Sequence, residues 1–458
     1  MKISKSIFKA YDIRGIFEKE LLVSTAKEVA KSISSIYKQN NNTIVIGRDG
    51  RISSKKLSDS LIEGFLESGK DIIDIGEVPT PVLYFAVNFL KLNSGVMVTG
   101  SHNPKQYNGF KIIMNSHALA GEEIQEIYNK ILSNNIESNY KNNTHLKKIN
   151  IIPEYEKSFL ENIKIGRKLR IAIDAGNGAA GPTALGIYKK LGLELIELYC
   201  TIDGNFPNHQ PNPSDPNNLV DLICAVNKHS CDLGIAFDGD GDRCLIIDNK
   251  GNILWPDRQM MLYSKDILSK DTNAKIVYDV KSSKDLPQYI KKYGGEPVMC
   301  RTGHSFIKSK MKEINATLGG EMSGHIFFKD KWYGFDDGIY CGARMLEIVS
   351  NQKLTSNELF SSLPFSYSTP EINISVDKDG IQHEFMKRFI KNAQFSNAVI
   401  SKIDGLRADF KNGWGLIRAS NTTPCLVMRF EANTENELKV IQNNFINEIK
   451  KIDSTLEI

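Results

Sequence analysis

The sequence of 458 residues contains only seven cysteines, and no two of them form a C-x-x-C pair. Scattered cysteines of this kind are typical of reduced thiols, so we expect neither a disulfide framework nor a secreted protein. The sequence also lacks any run of about 18 apolar residues, the length that a membrane-spanning helix needs. Its first residues lead into no apolar segment, so we expect no secretory signal. These absences predict a cytoplasmic protein without a membrane partner.

Charge of one sign is also scarce, because 58 lysines and arginines nearly balance 54 aspartates and glutamates. The basic residues form no stripe and belong to no recognisable nucleic-acid module, so we expect no nucleic-acid partner. Apolar residues make up 41% of the chain and charged residues 24%, as in ordinary globular proteins. The length predicts about two to four domains.

Apolar strands alternate with amphipathic helices in the first part of the chain. Strands are predicted at 43–46, 71–75 and 94–98, with helices at 53–65 and 79–92. This order of strand, helix and strand is typical of a largely parallel sheet.

The same order begins again at the predicted strand 169–173, and once more at the predicted strand 275–280. The last part differs, with a strand at 371–376, a helix at 382–392, three strand-like runs and a closing helix at 435–451. We therefore predict an α/β protein with three similar α/β domains, which have mixed, largely parallel sheets, and a C-terminal α+β domain.

Asparagine-rich stretches at 39–42 and 134–144 are predicted to be exposed connections, and Pro364 and Pro370 mark a predicted linker. We predict four domains, which span residues 1–148, 149–253, 254–365 and 366–458.

The most specific motif is Asp-Gly-Asp-Gly-Asp-Arg at 238–243, which follows a predicted apolar strand. Its three carboxylates can converge on one point, and they repel each other unless a cation lies between them. Oxygen ligands of this kind suit Mg²⁺, Mn²⁺ or Ca²⁺. A calcium-binding EF-hand would need glycine and glutamate where this chain has Arg243 and Asn249. The motif therefore predicts a divalent-metal site of another kind.

Three further loops carry groups that suit phosphate or sugar chemistry. Ser101 lies in the loop 99–104, but a serine hydroxyl is a weak nucleophile without a base, metal or phosphate partner. Arg418 opens the loop 418–423, whose guanidinium, hydroxyls and amide fit a phosphate dianion. The loop 320–325 offers a carboxylate, a hydroxyl and an imidazole, which suit sugar hydroxyls. Taken singly, each loop also fits an ordinary polar turn.

Taken in order, the four loops resemble the α-D-phosphohexomutase superfamily, in particular its bacterial phosphomannomutase/phosphoglucomutase branch. The segments 8–15, 47–51, 108–111, 279–281 and 302–304 strengthen the resemblance, which covers essentially the whole chain. It implies an enzyme that interconverts hexose 6-phosphates and hexose 1-phosphates of mannose or glucose, for nucleotide-sugar and polysaccharide synthesis. A phosphoserine and a hexose 1,6-bisphosphate, which is also an activator, would carry the reaction. The implied fold has four domains around a central cleft.

The resemblance also implies roles for individual residues. Ser101 is the implied phosphoserine, and its phosphate would complete a Mg²⁺ site formed by Asp238, Asp240 and Asp242. The residues implied to act in catalysis are Ser101, Lys111, His304 and Arg243. The residues implied to bind substrate are Tyr11, Arg14, Lys281, Glu321, Ser323, His325, Arg418, Ser420, Asn421 and Thr422.

Two residues bear on the choice of sugar. At the positions of Gly241 and Met322, the aminosugar branch of the superfamily usually has other residues. Gly241 and Met322 favour plain hexoses, and small-molecule hexose phosphates are the expected partners of a monomer or small homo-oligomer. Two alternatives remain open: a metal-dependent sugar phosphatase, and a catalytically silent sugar-phosphate sensor. The linker near 364–370 is the predicted hinge for closure of the C-terminal domain.

Overall fold

The structure, a computed structural model, describes residues 3–38, 42–133, 143–378, 380–421 and 423–456. The predicted connections at 39–42 and 134–144 therefore lie largely outside the described residues. Among the residues described, no helix combines the length and the apolar character that a membrane crossing needs.

The helices follow the amphipathic stretches of the sequence. They are α1 (Val23–Ile36), α2 (Ser54–Glu67), α3 (Thr80–Phe89), α4 (Glu122–Leu132), α5 (Ile152–Asn162), α6 (Ala180–Lys190), α7 (Val220–Lys228), α8 (Pro256–Leu268), α9 (Asp285–Lys292), α10 (His304–Ile314), α11 (Gly338–Ser350), α12 (Ser356–Ser361), α13 (Ile381–Asn392) and α14 (Glu435–Ile452).

The strands of the first half of the chain are β1 (Ile13–Ile16), β2 (Thr43–Arg48), β3 (Asp71–Glu77), β4 (Gly95–Val98), β5 (Tyr107–Met114), β6 (His117–Ala118), β7 (Leu146–Lys148), β8 (Arg170–Asp174), β9 (Glu194–Leu198), β10 (Leu233–Phe237), β11 (Cys244–Asp248) and β12 (Ile253–Leu254). Those of the second half are β13 (Lys275–Asp279), β14 (Glu296–Cys300), β15 (Leu318–Gly320), β16 (Ile326–Phe328), β17 (Tyr367–Ser368), β18 (Ile372–Ser375), β19 (Val399–Ser401), β20 (Leu406–Phe410), β21 (Gly413–Ala419) and β22 (Cys425–Ala432).

Contacts group the chain into two compact units. The first contains Met1–Tyr263 and Ser323–Phe360, and the second contains Ser264–Met322 and Ser361–Ile458.

The first unit contains a mixed sheet with the strand order β1-β5-β4-β2-β3-β7. β2 runs parallel to β3 and β4, whereas β5 runs antiparallel to β1 and β4. Apolar residues of α1, α2 and α4 share one buried core with these strands. Ser101 follows β4, and Lys111 lies opposite Met97 of β4 on the neighbouring strand β5.

A second sheet in the same unit has the order β12-β11-β10-β8-β9. β8 is parallel to β9 and β10, and β10 pairs with β11 as an antiparallel hairpin that brings Phe237 opposite Cys244. The aspartate motif 238–243 is the turn of this hairpin, so two buried strands fix both of its ends.

In the second unit, β13 runs parallel to both β14 and β15. The segments 279–281 and 302–304 follow β13 and β14, so parallel pairing brings them to the same edge of the sheet. The C-terminal strands form an antiparallel sheet with the order β17-β22-β21-β20-β19, and β18 also pairs with β22. Its inner face shares a core with α13 and α14, and Arg418 lies near the end of β21.

The predicted alternation of strands and helices is confirmed, with local differences. The helix predicted at 79–92 begins at Thr80, because Pro79 has extended backbone angles, and it ends at Phe89. The prediction of three strand-like runs after α13 is wrong, since four strands, β19 to β22, follow it. The predicted linker 364–370 contains β17, which pairs with β22 and ties part of that segment to the C-terminal sheet.

Candidate active site

Ser101 lies in a tight, buried loop after β4, and its side chain points at the aspartate motif. The residue is 3% exposed and has a positive φ of 48°, which is unusual for a residue other than glycine. Its Oγ lies 3.2 Å from Asp238 Oδ2 and 3.1 Å from His102 Nδ1. The hydroxyl of the predicted phosphoserine and a carboxylate of the predicted metal motif are therefore neighbours.

Arg51 holds the Ser101 loop in this conformation. Its two terminal nitrogens donate to four carbonyl oxygens, at distances of 2.6 to 3.0 Å, which are those of Ser101, Asn103, Pro104 and Tyr107. Asp49 accepts from Arg51 Nε at 3.1 Å and from the hydroxyl of Thr99 at 2.7 Å. At Gly100 a Cβ atom would lie 2.6 Å from Arg51 Nε, so only glycine fits without a shift.

The three aspartates of the hairpin turn converge. Asp238, Asp240 and Asp242 are fully buried, and each offers a carboxylate oxygen within 4.8 Å of the others. Gly239 permits the close approach of Ser101, because a Cβ atom there would lie 2.4 Å from the carbonyl oxygen of Ser101. The prediction that these carboxylates meet at one point is confirmed.

Asp240 and Asp242 each accept hydrogen bonds through one carboxylate oxygen and not through the other, among the residues described. Lys111 Nζ donates to Asp240 Oδ2 at 2.7 Å and also to Asp242 Oδ2. Within the part of the chain that the structure describes, Oδ1 of Asp240 and Oδ1 of Asp242 are buried without a hydrogen-bond partner. Buried carboxylate oxygens without a partner are costly unless a cation binds them. These carboxylate oxygens therefore fit a hard divalent cation as ligands.

Burial and charge act in opposite directions on the site's pKa values. Burial alone would lower the pKa of Lys111, but Asp240 and Asp242 hold it well above its ordinary value. Burial raises the pKa of Asp238 to about 7, although Arg243 opposes this rise. Burial would also raise the pKa of Asp240, but Lys111 holds it below the ordinary range. Lys111 thus supplies positive charge to two of the three carboxylates.

Arg243 and His325 border the same carboxylates. Arg243 Nε donates to Asp238 Oδ2 at 3.0 Å, and the backbones of Arg243 and His325 form an isolated β-bridge. His325 Nδ1 lies 3.0 Å from the buried Asp336 Oδ2 and 3.7 Å from Asp242 Oδ1. A neutral imidazole that donates from Nδ1 has its proton-accepting lone pair on Nε2.

The other predicted residues of the first unit are Arg14, Ser323 and Tyr11. Arg14 on β1 donates to Asn103 Oδ1 of the serine loop at 2.7 Å and to Asp12 at 2.5 Å. The carbonyl oxygen of Ser323 accepts a long hydrogen bond of 3.4 Å from Arg243. Tyr11 is half-buried, two residues before β1.

The second unit brings together a different set of predicted residues. Gly303 N donates to Glu321 Oε1 at 2.6 Å, which joins the loop 302–304 to the predicted sugar-binding glutamate. His304 is the first residue of α10. Asp404 Oδ2 accepts from Thr302 N at 3.0 Å and from Arg418 Nε at 2.9 Å. A single carboxylate therefore connects the loop of His304 with the predicted phosphate-binding arginine.

The remaining predicted residues of this unit are a buried lysine and polar residues of the loop 418–423. Lys281 Nζ pairs with Glu371 Oε1 at 2.5 Å. Burial would lower the pKa of Lys281, but Glu371 and Asp279 raise it. Ser420 Oγ lies 2.9 Å from Thr423 Oγ1, and Asn421 follows it in the same loop. Thr422 lies outside the described residues.

Four family models match the chain in sequence order and leave only short gaps between them. They are those of phosphoglucomutase/phosphomannomutase alpha/beta/alpha domains I, II and III and of the C-terminal domain, at residues 5–137, 153–251, 255–367 and 371–448.

The chain belongs to the phosphoglucomutase/phosphomannomutase family.

Relatives support this membership over nearly the full length. A phosphomannomutase/phosphoglucomutase of Pseudomonas aeruginosa is 47% identical over 454 residues, which is 99% of this chain and 97% of that one. A phosphoglucomutase of Neisseria meningitidis is 47% identical over 445 residues, covering 97% and 96% of the two chains. The crystal structure of a Burkholderia thailandensis member of the family has a TM-score of 0.94 at 41% identity and covers 100% and 99%. The predicted family and its four-domain architecture are confirmed.

Sequence reasoning missed several residues that shape this phosphoglucomutase/phosphomannomutase site. They are Asp49, Arg51, Thr80, Asp336 and Asp404, and all of them act through other side chains or backbone atoms. The segment around Gln210 and Pro211 was also missed: Pro211 O accepts from Gly239 N at 3.1 Å, and Gln210 donates to His102 O at 3.0 Å. The density of glycine, proline and asparagine at 203–213 was the available signal.

Proposed function

We propose that this protein interconverts hexose 6-phosphates and hexose 1-phosphates of mannose or glucose through a phosphorylated Ser101 and a hexose 1,6-bisphosphate. The observation that carries the proposal is the distance of 3.2 Å between Ser101 Oγ and Asp238 Oδ2 in a buried triad of carboxylates. A phosphate on that hydroxyl would lie beside the triad of carboxylates that fits a divalent cation, and beside Arg243, whose Nε donates to the same Asp238 Oδ2.

The residues fit Mg²⁺, which Asp238, Asp240 and Asp242 would hold together with an oxygen of phosphorylated Ser101. Bound there, the ion supplies positive charge to the phosphoryl oxygens of the transition state. Arg243 is fixed by Asp238 and adds a second positive charge. Arg51 keeps the serine loop rigid, so the reacting oxygen stays in place during transfer.

In the forward half-reaction, the bond between Ser101 Oγ and phosphorus breaks, Ser101 Oγ takes up a proton as it leaves, and a bond forms between phosphorus and a sugar hydroxyl oxygen. The proton of that hydroxyl must pass to a base. His304 remains the proposed base, and His325, whose Nδ1 lies 3.0 Å from Asp336 Oδ2, is a second one. Lys111 is protonated because Asp240 and Asp242 raise its pKa, so its proposed part in proton transfer is that of an acid. The bisphosphate then turns end for end, and its other phosphate returns to Ser101.

The second unit supplies the proposed grip on the substrate. Glu321, held by Gly303 N, would accept from sugar hydroxyls, and Arg418 with Ser420 and Asn421 would bind the phosphate that does not react. Four domains with the boundaries 1–148, 149–253, 254–365 and 366–458 stay a proposal, as does the hinge at 364–370. We also propose a cytoplasmic location, which the seven free thiols support.

The test is Ser101→Ala in a coupled assay that offers mannose 1-phosphate and glucose 1-phosphate side by side. We expect turnover to fall by at least about 10³-fold, because the covalent route is lost. Intact-mass analysis should find one phosphate on the active protein and none on the variant. Ser269→Ala is the matched control, since Ser269 is exposed at the end of α8 and its hydroxyl donates to Asp266 O in that helix.

The same assay separates the alternatives. A sugar phosphatase would release inorganic phosphate as fast as it isomerises, and hexose 1,6-bisphosphate would not stimulate it. A silent sensor would bind hexose phosphates without turnover. Either outcome would contradict the proposed mutase.

A further inference from the structure

Thr80 contacts the metal motif from a distant part of the chain. It is the first residue of α3 and is fully buried. Its backbone N donates to the carbonyl oxygen of Asp240 at 2.8 Å, and its hydroxyl donates to Asp240 Oδ2 at 2.5 Å. One residue therefore fixes both the main chain and the carboxylate of a predicted metal ligand.

The sequence around Thr80 makes this contact specific. The first N–H groups of a helix have no partner inside the helix. Pro79 and Pro81 have no N–H group, and no side chain caps α3, so Thr80 supplies the leading donors of this helix end. A Cβ atom at Gly241 would lie 3.2 Å from Pro79 Cβ, which shows how closely the motif packs against the start of α3.

These bonds make the two oxygens of Asp240 unequal. Oδ2 accepts from the hydroxyl of Thr80 and, at 2.7 Å, from Lys111 Nζ, so its lone pairs are occupied. Oδ1 is buried and has no hydrogen-bond partner among the residues that the structure describes. Asp240 therefore presents one oxygen to a cation and keeps the other for the protein.

We propose that Thr80 is a positioning residue that restricts Asp240 to coordination through one oxygen and thereby makes the site prefer Mg²⁺ to Ca²⁺. Mg²⁺ takes about six oxygens in a rigid octahedron, whereas Ca²⁺ takes about six to eight and readily binds both oxygens of one carboxylate. Without the hydroxyl of Thr80, Oδ2 loses one of its two donors and the carboxylate can turn to offer both oxygens. The inference rests on the proposed function, in which the triad holds Mg²⁺.

The test measures ion binding rather than turnover. Chelator-stripped full-length protein that carries one phosphate by intact mass is titrated with Mg²⁺ and, separately, with Ca²⁺ in a calorimeter, for the wild type, Thr80→Val and Thr80→Ser. For Thr80→Val we expect Mg²⁺ affinity to fall by about 10- to 100-fold, as for other groups that orient metal ligands, and Ca²⁺ affinity to fall less. Thr80→Ser keeps the hydroxyl and should restore the ratio of the two affinities.

Two further variants keep the result interpretable. Thr25→Val makes the same change at a buried threonine in the first turn of α1, and it should leave both affinities unchanged. Thr80→Ala removes the hydroxyl without placing a methyl group near Oδ2, and it replaces Thr80→Val if circular dichroism shows that the valine variant is unfolded.

An unchanged ratio of Mg²⁺ to Ca²⁺ affinity in both hydroxyl-free variants would overturn the inference, as would a serine variant that behaves like valine. A wild type that binds neither ion would instead overturn the metal site of the proposed function. These two failures are therefore distinguishable in one set of titrations.

Discussion

At the scale of single residues, much of the site depends on side chains that act through another group. Arg51 holds four carbonyl oxygens of the serine loop, and Asp336 fixes a nitrogen of His325. Asp404 joins Thr302 to Arg418 in the same manner. A carboxylate that accepts from the Nε of an arginine restrains the plane of its guanidinium group.

Asp404→Asn should therefore weaken substrate binding more than it slows chemistry. The amide carries no charge, so it holds Arg418 less firmly and orders the loop of Thr302 less well. We expect KM to rise about tenfold, equivalent to about 1.4 kcal/mol, with kcat nearly kept. Steady-state kinetics with glucose 1-phosphate measure both values.

Asp232→Asn is the control for this variant, because Asp232 also binds an arginine, Arg167, and neither residue belongs to the proposed site. It should leave KM unchanged. A fall in kcat at constant KM for Asp404→Asn would contradict the positioning of Arg418.

His209 should make stability depend on pH. Its Nε2 lies 2.9 Å from Asp174 Oδ2 and its Nδ1 lies 3.0 Å from Gln210 O, so both nitrogens face acceptors and both must carry protons. Burial lowers the pKa of His209, but Asp174 raises it more, so the net shift is upward. A raised pKa means that the charged pair stabilises the fold fully below the ordinary histidine pKa of about 6.5. This stabilisation is lost as pH rises through the raised value.

Urea unfolding of the wild type and His209→Gln between about pH 5.5 and 9 tests this expectation. The difference in free energy of unfolding should be largest at the acid end and shrink as pH rises. His229→Gln serves as the control, since the hydrogen bonds of His229 with other described residues involve its backbone N and O atoms. A difference that stays constant over the whole range would show that the pair is not ionised.

At the scale of elements, the start of α11 supports the metal motif. Gly338 N donates to Gly241 O at 3.1 Å, and Asp337 caps the helix while accepting from the hydroxyl of Tyr155 at 2.8 Å and from Trp332 at 3.1 Å. Trp332 stacks on Tyr340, with ring centroids 4.5 Å apart. Aromatic rings thus fix the helix end that touches the turn between β10 and β11.

Gly338→Ala should disturb this contact. Alanine favours helix, so any loss must come from crowding, because its Cβ would lie 2.5 Å from the carbonyl oxygen of Arg243. We expect roughly 1–3 kcal/mol of lost stability and weaker binding of the divalent ion. Chemical unfolding and metal titration measure the two effects.

Gly186→Ala in α6 is the matched control, because its Cβ would lie 2.6 Å from Glu156 Oε1, the far end of a flexible side chain, and near no backbone atom outside α6 among the described residues. It should leave the metal affinity unchanged. Equal effects of the two substitutions would show that α11 does not hold the metal motif in place.

At the scale of the whole molecule, the two units divide the predicted chemistry between them. The first contains Ser101, the aspartate triad, Lys111 and His325, and the second contains His304, Glu321 and the loop of Arg418. Residues 323–360 group with the first unit, where Trp332 and Asp337 contact Phe85 and Tyr155. The predicted domain 254–365 therefore contributes residues to both units.

Because the triad lies wholly in the first unit, Mg²⁺ should stabilise that unit selectively. Hydrogen exchange with and without the ion should show added protection in peptides from β10 and β11. Peptides from α13 in the second unit serve as the internal control. Equal protection of both units would contradict binding at the triad.

Most of the fold was predictable because its signals are local. The apolar runs of β10 and β14, and the amphipathic pattern of α14, are visible in the chain as written. The boundaries near Pro79 shifted because an extended proline can precede a helix as well as begin it. The number of C-terminal strands was misjudged because β19 is only three residues long and largely exposed, so no alternation of buried and exposed positions marks it.

The sequence by itself determined the family, the order of domains and the convergence of three carboxylates, since spacing within one loop is enough to bring those side chains together. Only the tertiary structure decided which groups hold these carboxylates and the predicted phosphate-binding arginine in place. Thr80 meets Asp240 across 160 residues, and Asp404 joins two loops that are 102 and 14 residues away. Hydrogen bonds over such separations depend on strand order and packing, which no local pattern records.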